Sequence, residues 1–143
     1  MWLFRPGIFF FERLPHNADL LTSITEAFRQ NRGYTGFFNA IGAVSRSRIA
    51  FYDQEKKEYG ESSIDSPAEI LSCVGNVSEA DGEIFVHAHI TLGYDDSSTR
   101  GGHLLDGTII FACELFGVVL EGTPPARRFD EVTGLRLWDP SKR

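Results

Sequence analysis

A chain of 143 residues with 42% hydrophobic content has the length of one domain, and one core at that size buries roughly 70% of the surface the unfolded chain exposes. Its 14 Lys+Arg against 20 Asp+Glu give a net charge of −6, a field that repels a phosphate backbone and argues against direct DNA binding without a partner. Nowhere do eighteen apolar residues run together, so no transmembrane helix and no membrane role is expected.

The N-terminal run Met1–Phe11 is apolar, but Arg5 and Pro6 divide it, it lacks a basic start, and no small-residue cleavage site follows; it does not read as a signal peptide. Ile8 to Arg13 is rich in aromatics and predicts an opening strand, ended by Pro15. Asn17 is a fitting N-cap for a helix whose apolar residues Leu20, Leu21, Ile24, Ala27 and Phe28 share one face, with Gly33 where a terminating glycine belongs. No second helix of that quality follows. From Gly36 onward, β-branched and aromatic segments alternate with turn signals, including Gln54-Glu55-Lys56-Lys57, as in an antiparallel, curled sheet. The segments around Arg127–Glu131 and Gly134–Asp139 predict a terminal hairpin closing on the same sheet. The expected architecture is α+β, a single domain over 1–143 with its core at about 8–139. Twelve Phe are many for one small core and suggest that some serve a subunit interface. Cys73 and Cys113 show no CxxC spacing and read as buried free thiols, which fits a reducing, cytoplasmic setting.

The segment from Val86 to Gly107 holds three of the four histidines. His87 and His89 stand two apart on a predicted strand, so both point to one face with Cα atoms about 6.5–7 Å apart. A polar loop containing Asp95, Asp96, Ser97 and Ser98 returns the chain and can bring His103 beside them. Three neutral imidazoles without a thiolate suit zinc, and three protein ligands leave one position for water or a small ligand. Gly101 and Gly102, next to His103, permit a close approach by a ligand or by another chain.

Other residues invite a functional reading less directly. Glu114 interrupts the apolar run IIFACELFGVV, where it is either a solvent-facing residue or part of a polar network reaching a metal histidine. Arg46 and Arg48, with Arg29 and Arg32, are a basic concentration that serves solubility or captures an anion or a partner. His16 reads as exposed and unrelated to the metal.

From about Phe10 to Trp138 the chain resembles the PPC (plants-and-prokaryotes conserved) domain family. The resembling segments are FERLPHNADLLTSI, FFNAIGAVSRSRIAFYD, SPAEILSCVGN, and HAHITL followed by GGHLLDG. The resemblance implies a largely antiparallel α+β domain assembled as a homotrimer. In plant members the domain follows an AT-hook and mediates assembly with partner proteins. Arg5-Pro6-Gly7 lacks the flanking residues of an AT-hook, and the plant Gly-Arg-Phe-Glu-Ile-Leu motif is present only as Ser66-Pro67-Ala68-Glu69-Ile70-Leu71. Glu69 corresponds to that motif's glutamate and joins Glu114 as a catalytic candidate. The His-x-His…Gly-Gly-His segment is also similar to the zinc-binding segment of acetolactate decarboxylases, which carries His87, His89 and His103 over as metal ligands. The functional expectation is a trimeric metal-binding protein, enzymatic or not, acting on a small polar or anionic ligand. The alternative is a DNA-associated regulatory or assembly module working through protein partners.

Overall fold

The computed structural model describes residues 1–141. The chain opens with strand β1 (Arg5–Leu14), followed by the helix α1 (Leu20–Gln30) and an 18-residue strand β2 (Gly36–Asp53). Then come β3 (Glu58–Ile64), β4 (Ala68–Ala80), β5 (Glu83–Gly93), β6 (Thr99–Leu104) and β7 (Ile109–Glu121). A last pair, β8 (Arg127–Asp130) and β9 (Leu135–Trp138), forms its own two-stranded sheet. The structure thus has the expected α+β composition, with one helix among the described residues and every ladder of the sheet antiparallel.

Strand order in the large sheet is β1-β7-β2-β4-β5-β6, with β3 on β2. Gly36 to Asp53 form one continuous strand, β2, and opposite Ile41 the neighbouring β4 carries one extra residue at Leu71 and Ser72. Gly42 sits at φ +144, in the range that suits glycine. The far half of β2 turns away from β4 and β7 to meet β3, and it also pairs with β6 at Ile49↔Leu104 and Ala50↔His103. Strands β2, β4, β5 and β6 therefore close on themselves, and β6 is fixed by two ladders rather than one.

Alternation gives the sheet two faces. One carries Phe38, Ala40, Cys73, Ile90 and Leu115, all at most 2% exposed, and receives Leu20, Ile24, Ala27 and Phe28 from α1. Phe28 meets Phe10 edge-on at 5.2 Å and lies 6.1 Å from Phe38. Truncating such a buried phenylalanine to alanine costs about 3–5 kcal/mol. Both cysteines lie in this core as free thiols, and burial pushes Cys73 up to about 12 and Cys113 up to about 11.

Two local expectations change. The helix N-cap is Asp19, whose carboxylate accepts from the Thr22 amide and from the Gly107 amide. Asn17 instead takes a left-handed φ of 62 and donates its amide to the Ile110 carbonyl. The terminal hairpin does not extend the main sheet. It lies against β4 through an isolated bridge, Glu79↔Ala126, and through the Arg127 side chain.

Candidate metal centre

The face of the sheet away from α1 carries the histidines, and cross-strand register shows how. One row runs Phe11, Phe116, Asn39, Val74, His89, His103 across β1, β7, β2, β4, β5 and β6. The next runs Phe9, Val118, Phe37, Asn76, His87. His87 and His89 are consecutive same-face residues of β5, and His103 stands opposite His89. Ring centroids are 5.2 Å apart for His87–His89, 5.0 Å for His87–His103 and 5.7 Å for His89–His103. One nitrogen from each imidazole lies within 4.8 Å of the others, a spacing at which all three can bind one ion.

The electrostatics favour the metal-binding form. Burial lowers the His87 pKa to about 4, helped by the charges of His103, Arg127 and His89. Burial, then His89 and Arg127, lowers His103 as well. An imidazole that resists protonation keeps its lone pair for a metal. The Nδ1 of His103 is buried and has no hydrogen-bond partner among the described residues, a polar atom whose isolation costs free energy unless a ligand satisfies it. The donor set and this orphaned nitrogen fit a divalent metal with a nitrogen preference.

Three residues around the histidines escaped the sequence reading. Asn76 stands opposite His87 on β4 and lines the same open cleft, with Val74, Gly75 and His89. Arg127 donates through Nε to Ser78 Oγ at 2.9 Å, through Nη2 to Asn76 Oδ1 at 3.0 Å, and through Nη1 to the Arg136 carbonyl at 2.9 Å. Its guanidinium also lies over the Phe85 ring at 4.7 Å. Tyr59 on β3 places its ring 5.3 Å from His103, and burial raises its pKa, so its hydroxyl stays a donor. The one weak sequence signal was Asn76, a polar residue two positions from Val74 on a predicted strand.

The other candidates sit elsewhere. Glu69 is exposed and pairs with Ala43 and Gly93 near the start of β4, about 20 Å along the strand from Asn76. Glu114 is exposed on β7 opposite Arg13 and Ile41, three strand spacings or about 14 Å across from β5. Together they border a shallow depression with Ile41 and Leu71, away from the histidines. A Cβ on Gly101 would come within 2.8 Å of the Ile90 carbonyl oxygen, and one on Gly102 within 2.6 Å of that of Ala50. Those glycines let β6 press against β5 and β2. Arg48 spends its charge on Glu61 at 2.6 Å, Arg29 pairs with Glu26 at 2.7 Å, and Arg46 is exposed. His16 is exposed and binds the Phe111 carbonyl through Nδ1 at 2.7 Å, far in the fold from the other histidines.

The chain is thus an α+β protein of largely antiparallel sheet with a three-histidine cluster on the open face. It belongs to the Plants and Prokaryotes Conserved (PCC) domain family, whose model matches residues 4–121. A metal-containing protein from Archaeoglobus fulgidus is 43% identical, with a TM-score of 0.92 over 96% of this chain and 97% of that one. A plant- and prokaryote-conserved protein from Pyrococcus horikoshii is 34% identical, with a TM-score of 0.92 over 100% and 99%. Acetolactate decarboxylase from Bacillus subtilis subspecies spizizenii shares the fold alone, at 12% identity and a TM-score of 0.58 over 87% of this chain and 56% of that one. A Bacteroides thetaiotaomicron protein with a provisional DNA-binding name is likewise alike in fold, at 22% identity and a TM-score of 0.86 over 97% and 99%. No curated protein matches significantly.

Proposed function

We propose that the chain is the protomer of a homotrimeric metal protein whose three-histidine centre binds or transforms a small polar or anionic molecule. The observation that carries this reading is the convergence of His87, His89 and His103 within 4.8 Å, with the buried Nδ1 of His103 left unsatisfied. His87 and His89 from β5 and His103 from β6 would hold the ion, and zinc is the metal that a set of three neutral imidazoles suits best. Bound there, the ion would act as a Lewis acid toward a ligand oxygen. The metal content of the Archaeoglobus relative, 43% identical, supports the same reading.

The trimer draws support from the apolar half of the same face. Phe9 is 60% exposed, Phe11 84% and Phe37 49%, a run of aromatic surface that a monomer seldom leaves to water. The assembly-module reading rests on this surface too, and metal content separates the two. Elemental analysis of protein purified without a metal-affinity tag is expected to find stoichiometric divalent metal. Protein that folds and assembles with none would favour the assembly module.

A further inference from the structure

Strand geometry fixes two of the three imidazoles against each other and leaves the third to be placed. His87 and His89 are consecutive same-face residues of β5, and the register sets His103 directly opposite His89. Directly opposed residues of an antiparallel pair hold their Cβ atoms about 4.5–5.5 Å apart, while diagonal neighbours lie farther off, at roughly 7–8 Å. The rings invert that order: the centroid of His103 is 5.0 Å from that of its diagonal neighbour His87 and 5.7 Å from that of His89. An imidazole on a strand has more than one staggered rotamer open to it, so a lean toward the diagonal neighbour needs a support.

The immediate neighbours of His103 supply little. Ala50 faces it across β2, and Gly101 occupies the same-face position two residues back on β6. The ring that lies against it is Tyr59 of β3, at 5.3 Å between centroids and 33° between planes. Tyr59 is 43% exposed, so core packing does not fix it; Tyr52, its cross-strand partner on β2, meets it edge-on at 4.9 Å. Tyr52 in turn donates its hydroxyl to the Thr133 carbonyl at 2.6 Å, in the turn of the β8–β9 hairpin.

That turn is internally braced. Asp130 Oδ2 accepts from the Thr133 amide at 2.8 Å and from its hydroxyl at 2.6 Å, and the Gly134 amide donates to the Asp130 carbonyl at 2.7 Å. Lys57 Nζ adds a hydrogen bond to the Glu131 carbonyl at 2.9 Å. A Cβ on Gly134, whose φ is +73, would come within 2.7 Å of the Tyr52 hydroxyl oxygen, so the absence of a side chain there lets the turn close on Tyr52. None of the hairpin residues belongs to the buried core cluster, so these polar contacts are what hold its tip against β2 and β3.

We propose that Tyr59 is a positioning residue of the three-histidine centre, a ring that braces His103 toward His87, and that Tyr52 and the β8–β9 turn hold this brace in place. What the brace does for an ion rests on the metal reading, whereas the brace itself belongs to the metal-free chain and is tested there as well. The two tyrosines then differ in which part of them acts. At position 59 the ring works by contact and the hydroxyl is dispensable; at position 52 the hydroxyl is the fastening.

The test uses the full chain and cobalt(II), whose visible absorption reports the geometry around the ion. Tyr59→Ala should lower cobalt affinity by about tenfold or more, the usual loss when a group that orients a metal ligand is removed, and should change the absorption spectrum. Tyr59→Phe should restore both. Tyr52→Phe keeps both rings but loses the bond to Thr133, so affinity should fall by about threefold or more, and Gly134→Ala should act in the same direction. In the metal-free chain, the imidazole proton–nitrogen correlation signals of His103 should move in Tyr52→Phe, which leaves Tyr59 and the histidines themselves unaltered, while those of His16 hold. Tyr52→Phe is the mildest of these changes and covers the case where Tyr59→Ala does not fold. Cobalt affinity equal to that of the wild type in a folded Tyr59→Ala would overturn the brace, and so would an equal loss in Tyr59→Ala and Tyr59→Phe. If the wild type takes up no cobalt, the metal reading fails and the metal-free signals alone decide: unmoved His103 signals in Tyr52→Phe overturn the brace.

Discussion

The two ends of one row of side chains make the most instructive contrast in the molecule. From Phe11 through Phe116 to Asn39, and from Val74 to His89 and His103, the backbone repeats one ladder geometry on one face. At the β1 end the row presents exposed aromatic rings; at the β6 end it presents His89 and His103, which lie within ligand distance of each other and of His87 in the next row. The scaffold is shared and the chemistry differs only in what each position carries, so a substitution at one end should leave the other intact.

The largest expected effect tests that independence. His89→Ala removes a ligand from an exposed position and should abolish stoichiometric metal, read by elemental analysis, with far-UV circular dichroism and assembly unchanged. A variant that keeps full metal would break the ligand assignment; one that loses assembly as well would show that the two ends are coupled.

The reciprocal change should split the assembly from the site. The chain has a mass of 16.0 kDa, and light scattering coupled to size exclusion should report close to three times that for the wild type. Phe11→Asp with Phe37→Asp should shift the mass toward one chain while cobalt binding persists. Both rings are exposed in the protomer, so the cost to its own stability should stay within about 1 kcal/mol. A wild type that is monomeric at micromolar concentration removes the trimer.

A smaller, pH-dependent effect belongs to the histidine end alone. Burial lowers the His87 pKa to about 4 in the folded metal-free chain, against the ordinary imidazole value of 6.5. Between those values the unfolded chain binds more protons, so metal-free stability should be full above about pH 6.5 and decline as pH falls toward about 4. The melting temperature of metal-free wild type should follow that window, and that of His87→Gln should follow it less steeply. Identical pH profiles would show that His87 is not held neutral by its surroundings.

The smallest expected signal is for duplex DNA. The chain carries a net charge of −6. Fluorescence anisotropy at about 150 mM salt should show weak or no binding. Sub-micromolar affinity would mean that assembly concentrates the exposed arginines on a surface one protomer does not show.

What the sequence made readable follows from how local each feature is. His87 and His89 obey the period of a strand, a short polar loop can return His103 beside them, and the resemblance to known histidine segments supplied the rest of the reading. The open face's apolar half was foreseen only as an excess of phenylalanine, because alternation does not say which face a helix will cover. Arg127, Asn76 and Tyr59 come from β8, β4 and β3 and meet the histidines only through tertiary docking. The hairpin that carries Arg127 was recognised, but its attachment to β4 was not, since no pattern within the hairpin encodes it. Asn17 and Asp19 both suit a cap, and the choice was made by Ile110, whose carbonyl captures the Asn17 amide.

The distribution of these pairings along the chain has a consequence for the order of folding. The three imidazoles belong to one hairpin, β5 and β6, whose partners are near neighbours in sequence. Strand β1, in contrast, finds its place only on β7, with Arg5 opposite Glu121. A nascent chain emerging from the ribosome can thus form the histidine hairpin while its own N-terminal strand still waits for a partner not yet synthesised. High contact order of this kind slows folding and leaves an aromatic strand unpaired for longest. Phe9, Phe10 and Phe11 therefore wait for Val118, Gly117 and Phe116, their partners on β7, until that strand has been made.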